Sequence, residues 1–395
     1  MFETLTAMLR PARAFLLGLT ALTLAACDGM PVSGPAPAVD PNQPVTVALM
    51  VPRGSGDATN EGLANALVNA ARMAQSDLGG ATIDLRIYNT AADPTVAAAE
   101  ATRAIAEGAQ IIIGPLFSTV TPAVAAVAAQ SNIKVLSFSN NSAIAGGNIF
   151  ILGTTFEDVA TRLYGYSVAQ GKANVGVVYQ EGIEGEAGRT AAEKAARTVG
   201  ANLAGAASYP LNMQGLSEAS PQVASAMKAN AVQSILFTDT PTRGLPFIMA
   251  ALGSEGVTPR NTQFMGLTRW DASTELLQQP SAQGALFAVP DPSLGAQFDG
   301  RYLAAYGSEP HNLAPLAYDA VAAVGALIKS ARAEAATDTF SVERLTNPAG
   351  FVGVNGIFRF TRDGLNQRGL AILSVEDGAA VVIQPAPRNF GGVGF

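Results

Sequence analysis

Two doubly wound α/β lobes are the fold class predicted for this chain, on three observations. Short, solidly apolar runs of strand length recur, each followed by a stretch with helical hydrophobic spacing. The series restarts after Gly153. About 350 residues rich in Ala, Val, Leu and Ile can bury two cores of ordinary size. Strands covered on both faces of a parallel sheet read as continuous apolar runs, and right-handed βαβ crossovers supply the covering helices.

The elements follow in order. Val45 to Val51 is the first run, and Leu63, Leu67, Ala70, Ala71, Ala74 and Leu78 place one apolar face on a helix over 60–78. Ile83 to Tyr88 precedes a helix near 94–107, Ala109 to Ile113 one near 119–131, and Ile133 to Phe138 is a fourth strand. The second series reads helix 156–170, strand Val175 to Tyr179, helix 187–199, strand 203–208, helix 217–229, strand Ser234 to Thr238, helix 244–253 and strand Thr262 to Leu267. Helices 293–306 and 313–333, a hairpin-like Gly356 to Gly364 and strands 370–375 and 380–383 remain, and must return to lobes already built. The expected division is 45–155 with about 286–350 in an N-terminal lobe, 156–285 with about 365–390 in a C-terminal lobe, and 351–364 as a hairpin near the hinge.

Cys27 is the only cysteine, and it closes Leu24-Ala25-Ala26-Cys27 after an apolar run that Arg10 and Arg13 precede. The segment has the parts of a secretory signal over 1–26, too short to cross a bilayer, and its end resembles the lipobox of bacterial lipoproteins. The resemblance implies a periplasmic protein anchored to a membrane through lipid on Cys27. Five prolines (31, 35, 37, 41 and 44) make 27–44 a tether, reaching up to about 50 Å if extended. Loss of residues 1–26 removes Arg10, Arg13 and Glu3, so the charge moves from -7 to -8. Such an acidic chain lacks the basic stripe that phosphate neutralisation needs, which excludes nucleic acid as an expected partner. With no cysteine after position 27, no disulfide inside the chain is expected.

The residues of catalysis are sparse. His311 is the only histidine, in a polar loop where a solvated surface imidazole is expected, so no enzyme and no metal site are read here. Gly54-Ser-Gly56 lacks both the third glycine and the Gly-Lys-Ser/Thr of phosphate loops, so no cofactor is expected. Gly182, Gly185 and Gly188 read as a loop entering a helix. What remains is a cleft beyond the carboxyl ends of strands, where a small polar ligand would be held by hydroxyls, amides and charges. The residues placed there are Ser118, Thr119, Ser139, Asn140, Asn141, Asp239, Arg243, Thr268, Trp270 and Asp271. Helix capping is the competing role for Ser118, Thr119, Asp239 and Thr240, and core filling for Trp270.

Five segments carry a resemblance: Val47 to Pro52, Ile113 to Ser118, Val135 to Asn140, Tyr318 to Val321 and Gly356 to Gly364. Together they resemble type I periplasmic binding proteins of the Leu/Ile/Val-binding class, over residues 45 to 385. The resemblance implies a Venus flytrap with three crossing strands and a cleft between lobes. Ser137 to Asn140, Gly266 to Asp271 and Phe351 to Phe360 resemble the penicillin-binding-protein activator lipoproteins within that class. In amino-acid binders of the class a serine after the third strand meets the ligand carboxylate, and Ser118 stands there. The proline and amine-holding threonine of the next loop are replaced by Phe138 and Asn141, and Thr268 and Arg269 stand where an acid is expected. Two functions follow from the resemblance. One is an activator that binds a peptidoglycan synthase; the other is the substrate receptor of an ABC permease for amino acids, amides or short peptides. Asp28 resembles an inner-membrane retention signal of enteric bacteria, whereas the activators of the resemblance sit in the outer membrane, so the membrane that holds Cys27 stays open.

Overall fold

Strand β1 (Val45–Val51) sends alternate side chains into two cores. Val47, Leu49 and Val51 pack under helices Ala58–Asp77 and Ala314–Ala333, while Ala48 and Met50 pack under helices Pro94–Ala106 and Thr121–Ala129. Burial on both faces is why this strand carries no polar alternation. With β2 (Ile83–Asn89), β3 (Ile111–Ile113), β4 (Val135–Ser137) and β5 (Ile149–Ile151) it forms a parallel sheet of order β2-β1-β3-β4-β5. The computed structural model describes residues 38–40 and 42–391; Cys27, the signal-like segment and the tether as far as residue 37 lie outside them.

The second sheet repeats the plan. Strands β6 (Asn174–Gln180), β7 (Asn202–Tyr209), β8 (Ser234–Phe237), β9 (Gln263–Gly266) and β10 (Leu286–Val289) run parallel, and β14 (Ala371–Glu376) and β15 (Ala379–Gln384) close one side antiparallel, in the order β15-β14-β10-β9-β8-β6-β7. Helices Met213–Ala229 and Leu245–Ser254 cover one face, and Phe156–Ala169 and Ile183–Val199 the other. Both sheets are thus sandwiched, as the α/β reading requires. The sheet is mixed, however, because its last two strands arrive as a hairpin rather than through a helical crossover. Leu286–Val289 belongs to this sheet, so the chain leaves it after Val289 and not at residue 285.

Helix starts follow their caps. Asp57 accepts from the N–H groups of Thr59 and Asn60, which moves the first helix start to Ala58 from the expected 60. Thr155 and Asp158 form a reciprocal capping box on helix Phe156–Ala169. Gly182 ends the loop that enters helix Ile183–Val199 as its N-cap, whereas Gly185 and Gly188 lie inside the first turns of the helix. A Cβ on Gly185 would sit 1.7 Å from the Gln180 carbonyl oxygen, so glycine lets this helix press onto the end of β6. Helix Ala314–Ala333 is long and apolar enough to cross a membrane, yet 72% of that stretch is buried, as befits a core helix.

Strands β11 (Phe351–Gly353), β12 (Gly356–Phe360) and β13 (Asn366–Arg368) make a small antiparallel sheet beside the crossings. The chain passes between the large sheets after β5, after β10 and between β13 and β14, among the described residues. Side chains of β13 tie these passes together. Asn366 Nδ2 donates to the carbonyls of Ile151 (2.8 Å) and Gly153 (2.9 Å). Fully buried Arg368 pairs with fully buried Asp319 at 2.9 Å and reaches the Leu152 carbonyl at 3.3 Å. Asp319 Oδ1 also accepts from Val354 N at 2.8 Å, and Arg162 Nε donates to the Leu370 carbonyl at 2.8 Å.

Candidate functional site

A cleft of about 430 Å³ opens where the carboxyl ends of the parallel strands of the two sheets face each other. From the first sheet come Leu116, Phe117 and Ser118 after β3 and Phe138, Ser139 and Asn140 after β4. From the second come Arg269 after β9 and Pro290 after β10. Gly153 and Thr154 of the first crossing, Asn312, Leu313 and Leu316 at the head of helix Ala314–Ala333, and Asn355 of the β11–β12 turn complete the lining. Its size and its mixture of apolar wall with a few polar groups are those of a small-molecule site.

Of the residues placed here from sequence, Ser118, Ser139 and Asn140 line the cleft. Ser118 and Thr119 do not cap: helix Thr121–Ala129 starts from Val120 without a side-chain cap, leaving the half-buried Ser118 hydroxyl for the cleft. The buried Ser139 hydroxyl accepts from Asn141 N at 3.1 Å, and Asn141 in turn caps a short 3₁₀ turn through Ala143 N. Thr119 and Asn141 are exposed outside the lining.

The second-sheet residues divide differently. Trp270 is a correction: it is 0% exposed, packed in the core with its ring over Gly266, where a Cβ would lie 2.1 Å from Nε1. Large aromatic area is worth most when fully removed from water, and the absence of a Cβ on Gly266 makes the space for it. Asp239 is likewise buried, accepting from Tyr209 Oη (2.9 Å), Thr240 N (2.7 Å) and Gly244 N (2.8 Å), so it staples its own loop. Arg243 pairs with Asp239 at 3.2 Å and with Glu184 at 2.8 Å, and Thr268 Oγ1 donates to the Asp239 carbonyl at 3.2 Å. These three lie outside the cleft lining.

Asp271 stands behind the cleft and holds Arg269, accepting from Nε at 3.1 Å and from Nη2 at 2.6 Å. Those hydrogen bonds raise the pKa of the guanidinium and hold it charged. Arg269, Thr154, Asn312 and Asn355 are cleft residues that the sequence reading did not select. Arg269 was visible next to Trp270, but the other three are brought in by the crossings and by the returning helix. His311 is half-buried, and its Nδ1 accepts from Leu313 N at 3.1 Å, a turn-closing role instead of a solvated one. Among the described residues no three His, Cys, Asp or Glu side chains converge to hold a metal ion.

The family model described as periplasmic binding protein matches residues 44–380. The chain belongs to that family. Among solved structures, this periplasmic binding protein is similar to a candidate branched-chain amino acid ABC transporter protein from Rhodospirillum rubrum, 20% identical over 86% of this chain and 100% of that one, with a TM-score of 0.72. An ABC transporter substrate-binding protein from Desulfitobacterium hafniense in complex with Leu is 19% identical over 86% and 100%, with a TM-score of 0.61. A solute-binding protein of an ABC transporter from Rhodopseudomonas palustris, in complex with 3,4-dihydroxybenzoic acid, is 17% identical over 87% and 96%, with a TM-score of 0.57. At such identities the shared property is the type I, two-lobed fold. No curated protein matches the sequence.

Proposed function

We propose that this chain is the periplasmic receptor of an ABC importer, taking a small organic ligand into the cleft and presenting it to a permease. The observation that carries the reading is the position of the cleft, between the carboxyl ends of both sheets and beside the crossings. A ligand that touches Ser118 and Arg269 together bridges the two sheets, so it favours the closed arrangement by its extra contacts there. Ser118, Ser139, Asn140 and Arg269 are the proposed ligand contacts. The leucine and dihydroxybenzoate complexes of two structural relatives support a small-molecule cargo. Lipid on Cys27 would keep the receptor near the membrane and raise its effective concentration at a permease.

Thermal-shift screening of the soluble chain against amino acids, carboxylates and amides tests this. A ligand at 100 times its dissociation constant adds about 2.7 kcal/mol to stability, and silence across the whole panel would remove the reading. Activation of a penicillin-binding protein is the second reading, motivated by Gly266 to Asp271 and Phe351 to Phe360. Trp270, Phe351, Phe358 and Phe360 are core side chains, so packing accounts for those segments without a partner. Capture of membrane penicillin-binding proteins by the lipidated chain, with stimulated transpeptidation, would put this second reading first.

A further inference from the structure

The described residues that line the cleft include one cation, Arg269, and no aspartate or glutamate. We propose that the cleft takes a monocarboxylate with an apolar body and no α-ammonium, and rejects the matching amino acid. The proposal rests on the ligand-binding reading above and deepens it.

Asp271, which is not part of the lining, occupies the Nε–Nη2 edge of Arg269, which fixes the guanidinium and leaves Nη1 as the donor not used by Asp271. Ser118 hydroxyl and Asn140 amide stand on the opposite wall as neutral donors, so a carboxylate between them receives at least one charge-assisted hydrogen bond. An ammonium in the same space has only neutral oxygens among the lining residues to accept from it. Moving such a cation out of water without a carboxylate partner is costly, and a site that cannot satisfy a polar group discriminates strongly against it. Leu116, Phe117, Phe138, Leu313 and Leu316 give the rest of the ligand an apolar surround.

The test is calorimetric titration of the soluble chain with matched pairs: 4-methylpentanoate against leucine, and 3-phenylpropanoate against phenylalanine. The primary amides of the two acids serve as uncharged controls. At least one deaminated acid is expected to bind tenfold or more tighter than its amino acid. Arg269→Gln is expected to weaken that acid tenfold or more while leaving the amide within twofold; the unliganded melting temperature of the variant reports that it is folded. Amino acids binding as tightly as the acids, amides binding better than the acids, or equal loss for acid and amide in Arg269→Gln would each overturn the proposal while ligand binding stands. If a wider panel of amino acids, sugars and amines also leaves the melting temperature unmoved, the binding reading itself falls, and the proposal with it.

Discussion

At the scale of single residues, Trp270 shows how a neighbour in sequence misleads. Charged Arg269 and Asp271 flank it and point to a cleft, yet the ring turns inward because Gly266, four residues earlier, leaves space for it. Gly266→Ala would drive a Cβ into the indole and is expected to cost about 1–3 kcal/mol or more in denaturant unfolding, the range for overpacking a filled core. As the sole tryptophan and a buried one, Trp270 should emit at short wavelength, resist iodide quenching and stay unchanged on ligand addition. An exposed, ligand-quenched emission would contradict its placement. Burial also lowers the pKa of His311 below the 6.5 of a free imidazole. The unfolded chain then binds the proton first, so the contribution of this group to stability is full above about pH 6.5 and declines as pH falls toward the folded value. A ring-proton NMR titration with a midpoint at or above 6.5 would refute this.

At the scale of elements, periodicity located nearly every helix because each buries one apolar face against a sheet, and that demand is written locally as i, i+3, i+4 spacing. Strands β5 and β10 were not read from the sequence; pairing with β4, and with β9 and β14, makes them strands. The capping box at Thr155 and Asp158 makes a measurable claim. Desolvation pushes the Asp158 carboxyl from 3.8 up to about 7, against the opposing pull of its hydrogen bonds with Thr155 and of nearby Arg368, with Glu157 adding a small push upward. Its folded pKa is raised, so its contribution to stability is full below pH 3.8 and is lost as pH climbs to about 7. Asp158→Asn keeps the Thr155 N–H acceptor and removes the titration. The drop in melting temperature between pH 5 and pH 8 should shrink in this variant, and an unchanged drop would sink the assignment. Thr155→Ala, by losing the cap itself, is expected to cost about 1 kcal/mol at either pH.

At the scale of the whole molecule, the crossings decide the site. Asp319 and Arg368 lie 49 residues apart and meet with no exposure to water, joining the core helix Ala314–Ala333 to the small sheet and to the passage after β5. Asp319→Ala leaves the guanidinium buried without its partner and is expected to cost about 3–5 kcal/mol, read by chemical denaturation. Replacing both with apolar residues of similar volume should recover most of that loss, since neither charge is then stranded. A single variant as stable as the wild type would mean that water reaches the pair.

The sequence alone determined the α/β class, the long helices, strands β1 to β4, β6 to β9, β14 and β15, and the loops after β3 and β4 that supply Ser118, Ser139 and Asn140. These follow from short-range rules: burial on two faces gives solid strands, and ligands meet strands at their carboxyl ends. Tertiary structure decided that Trp270 and Asp239 face inward, that Arg269 faces the cleft, and that Thr154, Asn312 and Asn355 join it. The reason is physical. Which side of a loop meets solvent depends on the partner surface across it, and across from Arg269 that surface is Ser118 and Asn140, more than a hundred residues earlier, which no local spacing records.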